Sequence, residues 1–369
     1  MLTNGLVATI KEGIHGAGII GIKVRRLAAN GEYPQVRQDP ASAVRGNNMN
    51  IKGKTILITG GTGSFSRKFV ERVLQLNPKK IIIFSRDELK QYEMAREVND
   101  ERVRFLLGDV RDRQRLDRAF TDVNYVIHAA ALKQIPAAEY NPCECIKTNV
   151  LGAQNVIEAA IDAGVEKVVA LSTDKAVSPI NLYGAAKLCA EKLFTAGNAY
   201  STRTRFSCVR YGNVIGSRGS VIPLFKRQAM DGVLTITDEK MTRFWITLDQ
   251  ACDLVLLALT EMKGGEVFIP KLPSMKMVDL AQAICPECEI EYIGIRPGEK
   301  LHEAMLTGDD ARRTVEHDNY FVIQPEAPDT GGKTYWGYKP PPGNVADGFE
   351  YASNTNDWWL TKEELGDMI

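Results

Sequence analysis

Two side chains that can move a proton stand four residues apart, at Tyr183 and Lys187. At this spacing on a helix, both side chains point to the same face. A lysine ammonium beside a phenol lowers the phenol pKa from about 10, which lets the tyrosine act as a base near neutral pH. Thr173 precedes the pair at the end of an apolar run and adds a hydroxyl group. The three residues predict a tyrosine base, although a tyrosine and a lysine at this spacing also occur by chance.

Asp174 and Lys175 follow that threonine directly. A carboxyl group can protonate a leaving hydroxyl, and a desolvated amine can remove a proton alpha to a ketone. An exposed ion pair without a chemical role would explain the same two residues. The predicted catalytic residues are Thr173, Asp174, Lys175, Tyr183 and Lys187.

A glycine-rich run, TGGTGSFS at residues 59–66, stands between the first apolar run and the helical pattern that follows it. Glycines at such a place allow a tight turn, and they let backbone N–H groups approach a pyrophosphate at the helix N-terminus. An ordinary tight turn is the alternative. Ser66 stands where this pattern usually has its third glycine, and because serine is small we expect a slight shift and not the loss of the site.

The sequence Ser85-Arg86-Asp87 ends the second apolar run, where this kind of fold selects its cofactor. An Asp there binds the ribose 2′-hydroxyl of NAD, whereas an Arg suits the 2′-phosphate of NADP. Arg86 favours NADP, and Asp87 keeps NAD possible. Asp109 follows the third run, where it could meet the adenine or cap a helix. The predicted cofactor-binding residues are Gly60, Thr62, Gly63, Ser64, Phe65, Ser85, Arg86, Asp87, Glu88, Leu89, Lys90, Asp109, Val110, Ala129, Tyr183 and Lys187.

Short β-branched runs alternate with longer helical stretches from residue 55 onward. Strands are predicted at residues 55–60, 81–85, 103–109, 125–131 and 165–173, with helices from about residue 64 to 76, from about 87, and over 148–163. Continuous apolar strands between helices imply a parallel sheet covered on both faces. The predicted fold is a Rossmann-type doubly wound α/β sheet with a smaller, interleaved C-terminal substrate domain.

The predicted division of the chain has three parts. Residues 1–48 form an N-terminal extension, expected to be poorly ordered, and residues 49–212 form the cofactor-binding domain, with a later contribution from about 241–262. Residues 213–369 form mainly the substrate-binding domain and a C-terminal segment.

The composition excludes several classes of protein. The chain has 369 residues, 46 Lys plus Arg and 46 Asp plus Glu, so it lacks the basic surplus of a nucleic-acid binder. No apolar run approaches the ~20 residues that span a bilayer. Seven Cys in a chain of this length are no disulfide scaffold, and their odd number fits a reducing compartment. Cys285 and Cys288 have the spacing of half a zinc site, but no second pair lies near them, so no metal is expected.

Downstream of a glycine-rich loop, the Ser/Thr, Tyr and Lys set is the signature of short-chain dehydrogenase/reductases. More specifically, the chain from about residue 50 to its end resembles the inverting UDP-N-acetylglucosamine 4,6-dehydratases of the pseudaminic acid pathway. Epimerases of this fold need no extra acid or base after the fifth strand, and the dehydratases that retain C5 have Asp-Glu where this chain has Asp174-Lys175. The segments that carry the resemblance are ITGGTGSF, FSRDELKQ, GDVRD, HAAALKQIPAAEYNPCECIKTN, LSTDKAVSPINLYGAAKLCAEKLF, VRYGNVIGSRGSVIP, ITDEKMTRFWIT, PKLPSMKM, IGIRPGEKLHE and FEYASNTNDWWL.

The resemblance implies a redox-neutral reaction with NADP as the bound cofactor. Tyr183 would take the proton of the sugar C4 hydroxyl while hydride passes to the cofactor, and Lys187 would hold the nicotinamide ribose. Lys175 would then remove the C5 proton, and Asp174 would protonate the departing C6 hydroxyl. Return of the hydride to C6 and reprotonation of C5 from the opposite face would give UDP-2-acetamido-2,6-dideoxy-beta-L-arabino-hex-4-ulose.

The resemblance also implies substrate-binding residues: Lys133, Asn213, Arg296 and Glu299. An Arg suits a nucleotide diphosphate because its fork makes charge-assisted hydrogen bonds. A solvated loop lysine is the alternative at position 133, and Arg243 is either structural or a phosphate ligand.

The expected partners are UDP-N-acetylglucosamine and further copies of the chain, as a dimer or hexamer, with no nucleic acid and no membrane, in the cytoplasm. A related UDP-sugar epimerase, or a dehydratase with additional epimerase activity, remains the alternative. A non-catalytic NADP-binding protein on the same fold is a third hypothesis.

Overall fold

The structure is a computed structural model that describes residues 51–217, 219–325 and 343–369. The predicted N-terminal extension, residues 1–48, lies outside these ranges.

The strands are, in chain order, β1 (Thr55–Thr59), β2 (Lys80–Ser85), β3 (Val103–Leu107), β4 (Tyr125–His128), β5 (Lys167–Leu171), β6 (Arg205–Val209), β7 (Asn213–Val214), β8 (Val233–Ile236), β9 (Thr242–Ile246), β10 (Val267–Pro270), β11 (Ser274–Lys276), β12 (Glu289–Tyr292), β13 (Ala304–Leu306), β14 (Thr314–Glu316), β15 (Tyr320–Ile323) and β16 (Tyr351–Ala352). The helices are α1 (Ser64–Leu74), α2 (Glu88–Val98), α3 (Arg113–Ala119), α4 (Ile135–Tyr140), α5 (Pro142–Ile146), α6 (Gly152–Asp162), α7 (Leu182–Gly197), α8 (Val221–Gln228), α9 (Leu248–Glu261), α10 (Met277–Ile284), α11 (Gly308–Ala311) and α12 (Lys362–Asp367).

A nine-stranded sheet forms the centre of the fold, in the order β14-β15-β10-β6-β5-β4-β1-β2-β3. The strands from β10 to β3 are parallel to their neighbours, and β15 and β14 add an antiparallel edge. All five residues of β1 are buried, as expected for a central strand with helices on both faces. The predicted Rossmann-type α/β fold is confirmed, and each of the five predicted strands is present. Four of them end one to three residues earlier than predicted, and the second ends as predicted at residue 85.

The helix predicted over residues 148–163 begins differently from the expectation. A π-helical turn at Lys147–Leu151 precedes α6, which starts at Gly152. A Cβ at Gly152 would stand 2.7 Å from a methyl group of Val110, so a glycine is needed for the close approach of α6 to the end of β3.

The C-terminal part of the chain contributes to two places. Three small sheets, β11-β9-β7, β12-β8 and β13-β16, are built from residues after 212, and a second hydrophobic cluster that includes Phe225, Trp245, Met275 and Leu280 packs among them. However, β10, β14 and β15 join the nine-stranded sheet, and α9 packs into the main core. The main sheet thus takes strands from beyond the predicted 241–262, and the domain boundaries stay predictions.

Cys285 and Cys288 form a disulfide across the end of α10. This pairing was not expected from the odd cysteine count. Among the described residues, no group of His, Cys, Asp and Glu is placed to hold a metal ion. Nor does any helix in those residues have the length and apolar character that crossing a bilayer requires.

Candidate active site

A cavity of about 1430 Å³ opens at the carboxyl ends of β1 to β6, and the Gly-rich loop, the catalytic helix α7 and the 296–299 segment all line it. Ligands bind at this edge of open parallel sheets because the loops there converge. Most residues predicted for the site line this one cavity. The exceptions are Glu88, Leu89 and Asp174, which are not among its lining residues.

The Gly-rich loop has the shape that a phosphate cradle needs. Gly60 has a φ of +63°, and a Cβ there would stand 2.8 Å from the backbone of Ala130, so only glycine fits. Gly63 caps α1 without a side-chain hydrogen bond. The Ser66 hydroxyl is buried and donates to the carbonyl of Gly60 at 3.1 Å. The serine that replaces the usual third glycine is therefore accommodated inside the loop.

Two positively charged side chains, each paired with a carboxylate, lie at the end of β2. The Arg86 guanidinium is half-exposed and lies 3.5 Å from the Asp109 carboxylate. Asp87 caps α2 and accepts hydrogen bonds from both the backbone and the side chain of Lys90. Asp109 is not a helix cap, because Asp112 caps α3 by accepting from the Arg115 amide. The alternative proposed for Asp109 is therefore wrong.

Lys175 stands at the wall of the cavity with three acceptors around its ammonium. Its Nζ lies 3.0 Å from Asp174 Oδ1, 3.4 Å from Asn213 Oδ1 and 3.4 Å from Glu303 Oε1. Burial alone would lower the pKa of Lys175, but the two carboxylates outweigh burial and raise it. The two carboxylates therefore favour the ammonium form of Lys175, and its predicted role as a base requires that it first gives up a proton.

Asp174 lies behind Lys175, fully buried. Its Oδ1 accepts from the Thr173 hydroxyl at 2.8 Å, and its Oδ2 has no hydrogen-bond partner. Thr173 in turn hydrogen-bonds the Tyr183 phenol. A chain of hydrogen bonds thus links the Tyr183 phenol through Thr173 to the Asp174 carboxylate and on to Lys175. Thr173 lines the cavity, whereas Asp174 does not.

Burial raises the pKa of the Tyr183 phenol in the empty site, and Lys175 and Thr173 act in the opposite direction. The Nζ of Lys187 donates to the Leu171 carbonyl at 2.6 Å, and burial lowers the pKa of that lysine. Lys175 is thus the ammonium that lowers the phenol pKa in this structure, and the same effect of Lys187 stays a prediction.

Close contacts fix α7 against the catalytic turn. A Cβ on Gly184 would stand 2.1 Å from the Lys175 carbonyl, so the helix approaches the turn as closely as a glycine allows. The Asn181 side chain caps α7 by accepting from the Gly184 amide at 2.7 Å. Farther along α7, Glu191 forms a buried ion pair with Arg210, whose other nitrogen donates to the Met305 carbonyl. These bonds join the helix to the end of β6 and to β13.

The predicted substrate residues all line the cavity, in different states. Lys133 is exposed on the loop after β4, and Asn213 is a partner of Lys175. The Arg296 guanidinium is held by two hydrogen bonds to Glu299, at 2.9 and 3.1 Å. Burial would raise the pKa of Glu299, but Arg296 brings it below its usual range. Arg243 is structural, since it donates to the carbonyls of residues 242, 300 and 301.

His128 is a core residue. Its ring is buried and shares a 2.8 Å hydrogen bond with the Thr59 hydroxyl, and burial lowers its pKa to about 3.

Sequence reasoning missed one buried group and several wall residues. Glu303 is separated from Lys175 by 128 positions, and nothing in its neighbourhood of the sequence marks it as an acid near the catalytic lysine. Its only signal was its place at the end of the segment IGIRPGEKLHE. Wall residues that were not predicted include Gln134, Thr148, Tyr211, Arg227 and Trp245.

Comparisons with known proteins agree with this geometry. The family described as polysaccharide biosynthesis proteins matches residues 56–325. The chain belongs to this family. A Campylobacter jejuni protein (serotype O:23/36, strain 81-176) named UDP-N-acetylglucosamine 4,6-dehydratase (inverting) is 52% identical over 329 residues, which are 86% of this chain and 98% of that protein. The resemblance to inverting dehydratases is confirmed.

Other similar proteins have different names. A Rickettsia prowazekii protein named UDP-glucose 4-epimerase is 45% identical over 77% of this chain and 86% of its own length. The solved structure of Pen from Bacillus thuringiensis is 40% identical with a TM-score of 0.79, and the match covers 87% of this chain and 98% of Pen. DesIV from Streptomyces venezuelae, a dTDP-glucose 4,6-dehydratase solved with NAD and DAU, has a TM-score of 0.61 at 23% identity, covers 67% and 86%, and shows the shared fold.

Proposed function

We propose that this protein is a UDP-N-acetylglucosamine 4,6-dehydratase that inverts C5. The observation that carries the proposal is the meeting of an acid–base pair, Asp174 and Lys175, with the Tyr183 phenol at one cavity wall. A tyrosine alone serves oxidation of a hydroxyl, whereas loss of water also needs an acid and a base. The relatives with 52% identity carry the name of this reaction.

A nicotinamide cofactor fits the cavity. The loop around Gly60 leaves no room for a side chain, and the buried hydroxyls of Thr148 and Ser172 line the cavity without a protein partner. We propose that the cofactor is bound by the predicted residues that line the cavity, with Lys187 at the ribose: Gly60, Thr62, Gly63, Ser64, Phe65, Ser85, Arg86, Asp87, Lys90, Asp109, Val110, Ala129, Tyr183 and Lys187. When bound, the cofactor would accept the hydride of the sugar C4 and return it to C6. We propose NADP, because Arg86 and Lys90 supply two cations for a 2′-phosphate.

Tyr183 would take the proton of the C4 hydroxyl, with Thr173 holding the phenol in place. The ketone formed at C4 makes the C5 proton acidic. Lys175 is the amine at the cavity wall that can take this proton, once it has given up its own.

The ion pair of Lys175 and Asp174 already holds the proton that the elimination needs. Lys175 Nζ and Asp174 Oδ1 are 3.0 Å apart. If a proton passes from the nitrogen to the oxygen, an N–H bond breaks, an O–H bond forms, and the pair becomes an amine and a carboxylic acid. The amine then removes the C5 proton. Because Asp174 does not line the cavity, its proton would reach the C6 hydroxyl through the Thr173 hydroxyl, and water would leave. Lys175 would end as an ammonium, and reprotonation of C5 from the opposite face would complete the inversion.

Lys133, Asn213, Arg296 and Glu299 would bind the sugar nucleotide. Arg296 and Lys133 are cations at the wall, and a diphosphate would compete with Glu299 for the guanidinium. The same proposal includes an N-acetyl sugar as the substrate and supply of the product to pseudaminic acid synthesis. It also includes assembly as a dimer or hexamer, and a cytoplasmic location, where NADP and UDP-sugars are present.

The test is a proton NMR time course with UDP-N-acetylglucosamine in deuterated water. We expect a C6 methyl signal, deuterium at C5 and the couplings of the inverted sugar. A methyl signal with retained C5 would contradict the inversion, and no reaction with NADP⁺ or NAD⁺ added would contradict the dehydratase.

A UDP-sugar epimerase is the second candidate, favoured by the relatives named UDP-glucose 4-epimerase at 45% identity. The same NMR experiment with UDP-glucose decides. Growth of a C4 epimer without a methyl signal would favour the epimerase. A non-catalytic NADP-binding protein would retain cofactor and change neither sugar.

The choice of cofactor can be tested at Arg86. We expect Arg86→Ala to weaken NADP⁺ binding by about 10- to 100-fold, because a charge-assisted hydrogen bond is lost. NAD⁺ binding should change by less than about threefold. Calorimetry on cofactor-free protein measures both, with Arg203→Ala, an exposed arginine away from the cavity, as the control. Equal losses for the two cofactors would contradict a 2′-phosphate contact.

A further inference from the structure

Glu303 is a buried acid directly behind the catalytic lysine. Its residue is 2% exposed, and its Oε1 lies 3.4 Å from Lys175 Nζ. Its backbone is fixed on both sides by Ser353, which accepts from the Glu303 amide at 3.0 Å and donates its own amide to the Glu303 carbonyl at 2.7 Å. The carboxylate is therefore held in place by the β13–β16 region. It is not one of the residues that line the cavity.

The contacts of Lys175 match a protonated lysine. An ammonium has three N–H donors, and Nζ has three oxygen acceptors nearby, on Asp174, Asn213 and Glu303. Two of those acceptors are carboxylates. A neutral amine would leave at least one of the three without a donor, so the surroundings favour the charged form.

The other charged groups around this pair come from three elements. Lys300 lies 3.7 Å from Glu303 Oε2 and donates to the Val177 carbonyl. Arg243 on β9 acts on both Lys175 and Glu303 through its charge, although its hydrogen bonds go to backbone carbonyls. Tyr183 faces Lys175 from α7. Glu303 thus has one oxygen toward Lys175 and the other toward Lys300, and no oxygen toward the substrate.

We propose that Glu303 is a positioning residue for the dehydration: its buried carboxylate holds the Lys175 ammonium beside Asp174. Its role in turnover rests on the proposed function. No proton moves to or from Glu303 in the proposed reaction. Burial raises the pKa of its carboxyl, and the nearby charge of Lys175 acts in the opposite direction. The Glu303 charge opposes the neutral amine until a bound substrate changes the surroundings.

The test is a titration of the Lys175 side chain, followed by NMR in protein labelled at the lysine Cε with ¹³C. The Lys175 signal is assigned by its absence from Lys175→Met. In the unmodified protein, we expect it to remain that of an ammonium up to about pH 11, where an ordinary lysine is mostly neutral. In Glu303→Gln, the midpoint should fall by about one to two pH units, because one of two adjacent negative charges is gone.

Glu303→Asp and Glu266→Gln are the matched variants. The aspartate keeps the charge, so it should restore most of the shift, and it carries the test if the glutamine variant does not fold. Glu266 is as deeply buried as Glu303 and precedes β10, at the amino end of that strand and away from the cavity. Its carboxylate accepts a hydrogen bond from the Ser207 hydroxyl. Its loss should leave the Lys175 titration unchanged. A Lys175 signal that titrates alike with and without the Glu303 charge, or that shifts as much in Glu266→Gln, would overturn the proposal.

Turnover gives an independent readout. In Glu303→Gln, the alkaline limb of the pH profile of kcat should move to lower pH by a similar amount, while KM for UDP-N-acetylglucosamine changes by less than about twofold. The titration itself needs no turnover. A protein without dehydratase activity but with the expected titration would contradict the proposed function and leave the role of Glu303 standing.

Discussion

Lys175→Ala is expected to lower the dehydratase rate by about a thousandfold or more, because general acid–base groups contribute about 10²- to 10⁴-fold. The change removes the amine at the cavity wall and leaves Asp174 without its ion-pair partner. No methyl product and no deuterium at C5 should appear in the NMR time course. Full activity would contradict the assignment of Lys175 as the base.

A control is needed because a buried ion-pair partner can also be structural. Lys276→Ala changes an exposed lysine at the end of β11 and should leave the rate unchanged. Thermal unfolding of Lys175→Ala, with retained cofactor binding, shows whether the fold is intact. A variant that has lost both the fold and the activity would not support a chemical role, and Lys175→Met, which keeps the apolar stem, then decides.

Tyr183→Phe is expected to lower the overall rate by a similar factor, at a different step. The substitution removes only the phenol oxygen, which hydrogen-bonds Thr173. Without it, the C4 hydroxyl keeps its proton and the ketone does not form. The measurement is the same time course, with Tyr200→Phe as the control, since that tyrosine is 75% exposed.

Supplying the 4-keto product separates the two variants. Exchange of its C5 proton with deuterated water needs the base but not the oxidation of C4. Tyr183→Phe should therefore retain most of this exchange, whereas Lys175→Ala should lose it. Equal loss in both variants would mean that the phenol, and not the amine, handles the C5 proton.

Local sequence was sufficient for the parts of the site that are close together along the chain. The run TGGTGSFS, the four-residue spacing of Tyr183 and Lys187, and the adjacent Asp174 and Lys175 specify their geometry through one turn or one helix. The same holds for the strands, whose apolar runs can only be buried between helices.

The protonation states could not be predicted in this way. Lys175 looks like a desolvated amine as long as only its own segment is considered. Its ammonium form is favoured by the adjacent Asp174 and then by Glu303, which a distant part of the chain brings within 3.4 Å. Similarly, Lys187 has the right spacing to act on the phenol, but its ammonium is bonded to a carbonyl of β5. Electrostatic effects depend on three-dimensional neighbours, and a single sequence does not reveal which residues these are.

The segment that carries Arg296, Glu299 and Glu303 is attached to the catalytic half of the molecule at two points. Asn181 donates to the Gly298 carbonyl at 2.8 Å, and Lys300 donates to the Val177 carbonyl at 2.5 Å. This one segment therefore carries both the residues that would meet the nucleotide and the carboxylate beside the catalytic lysine. Because Gly298 and Lys300 are anchored between Arg296 and Glu303, and Ser353 fixes the Glu303 backbone, the carboxylate beside Lys175 keeps its place when Arg296 turns from Glu299 toward a diphosphate.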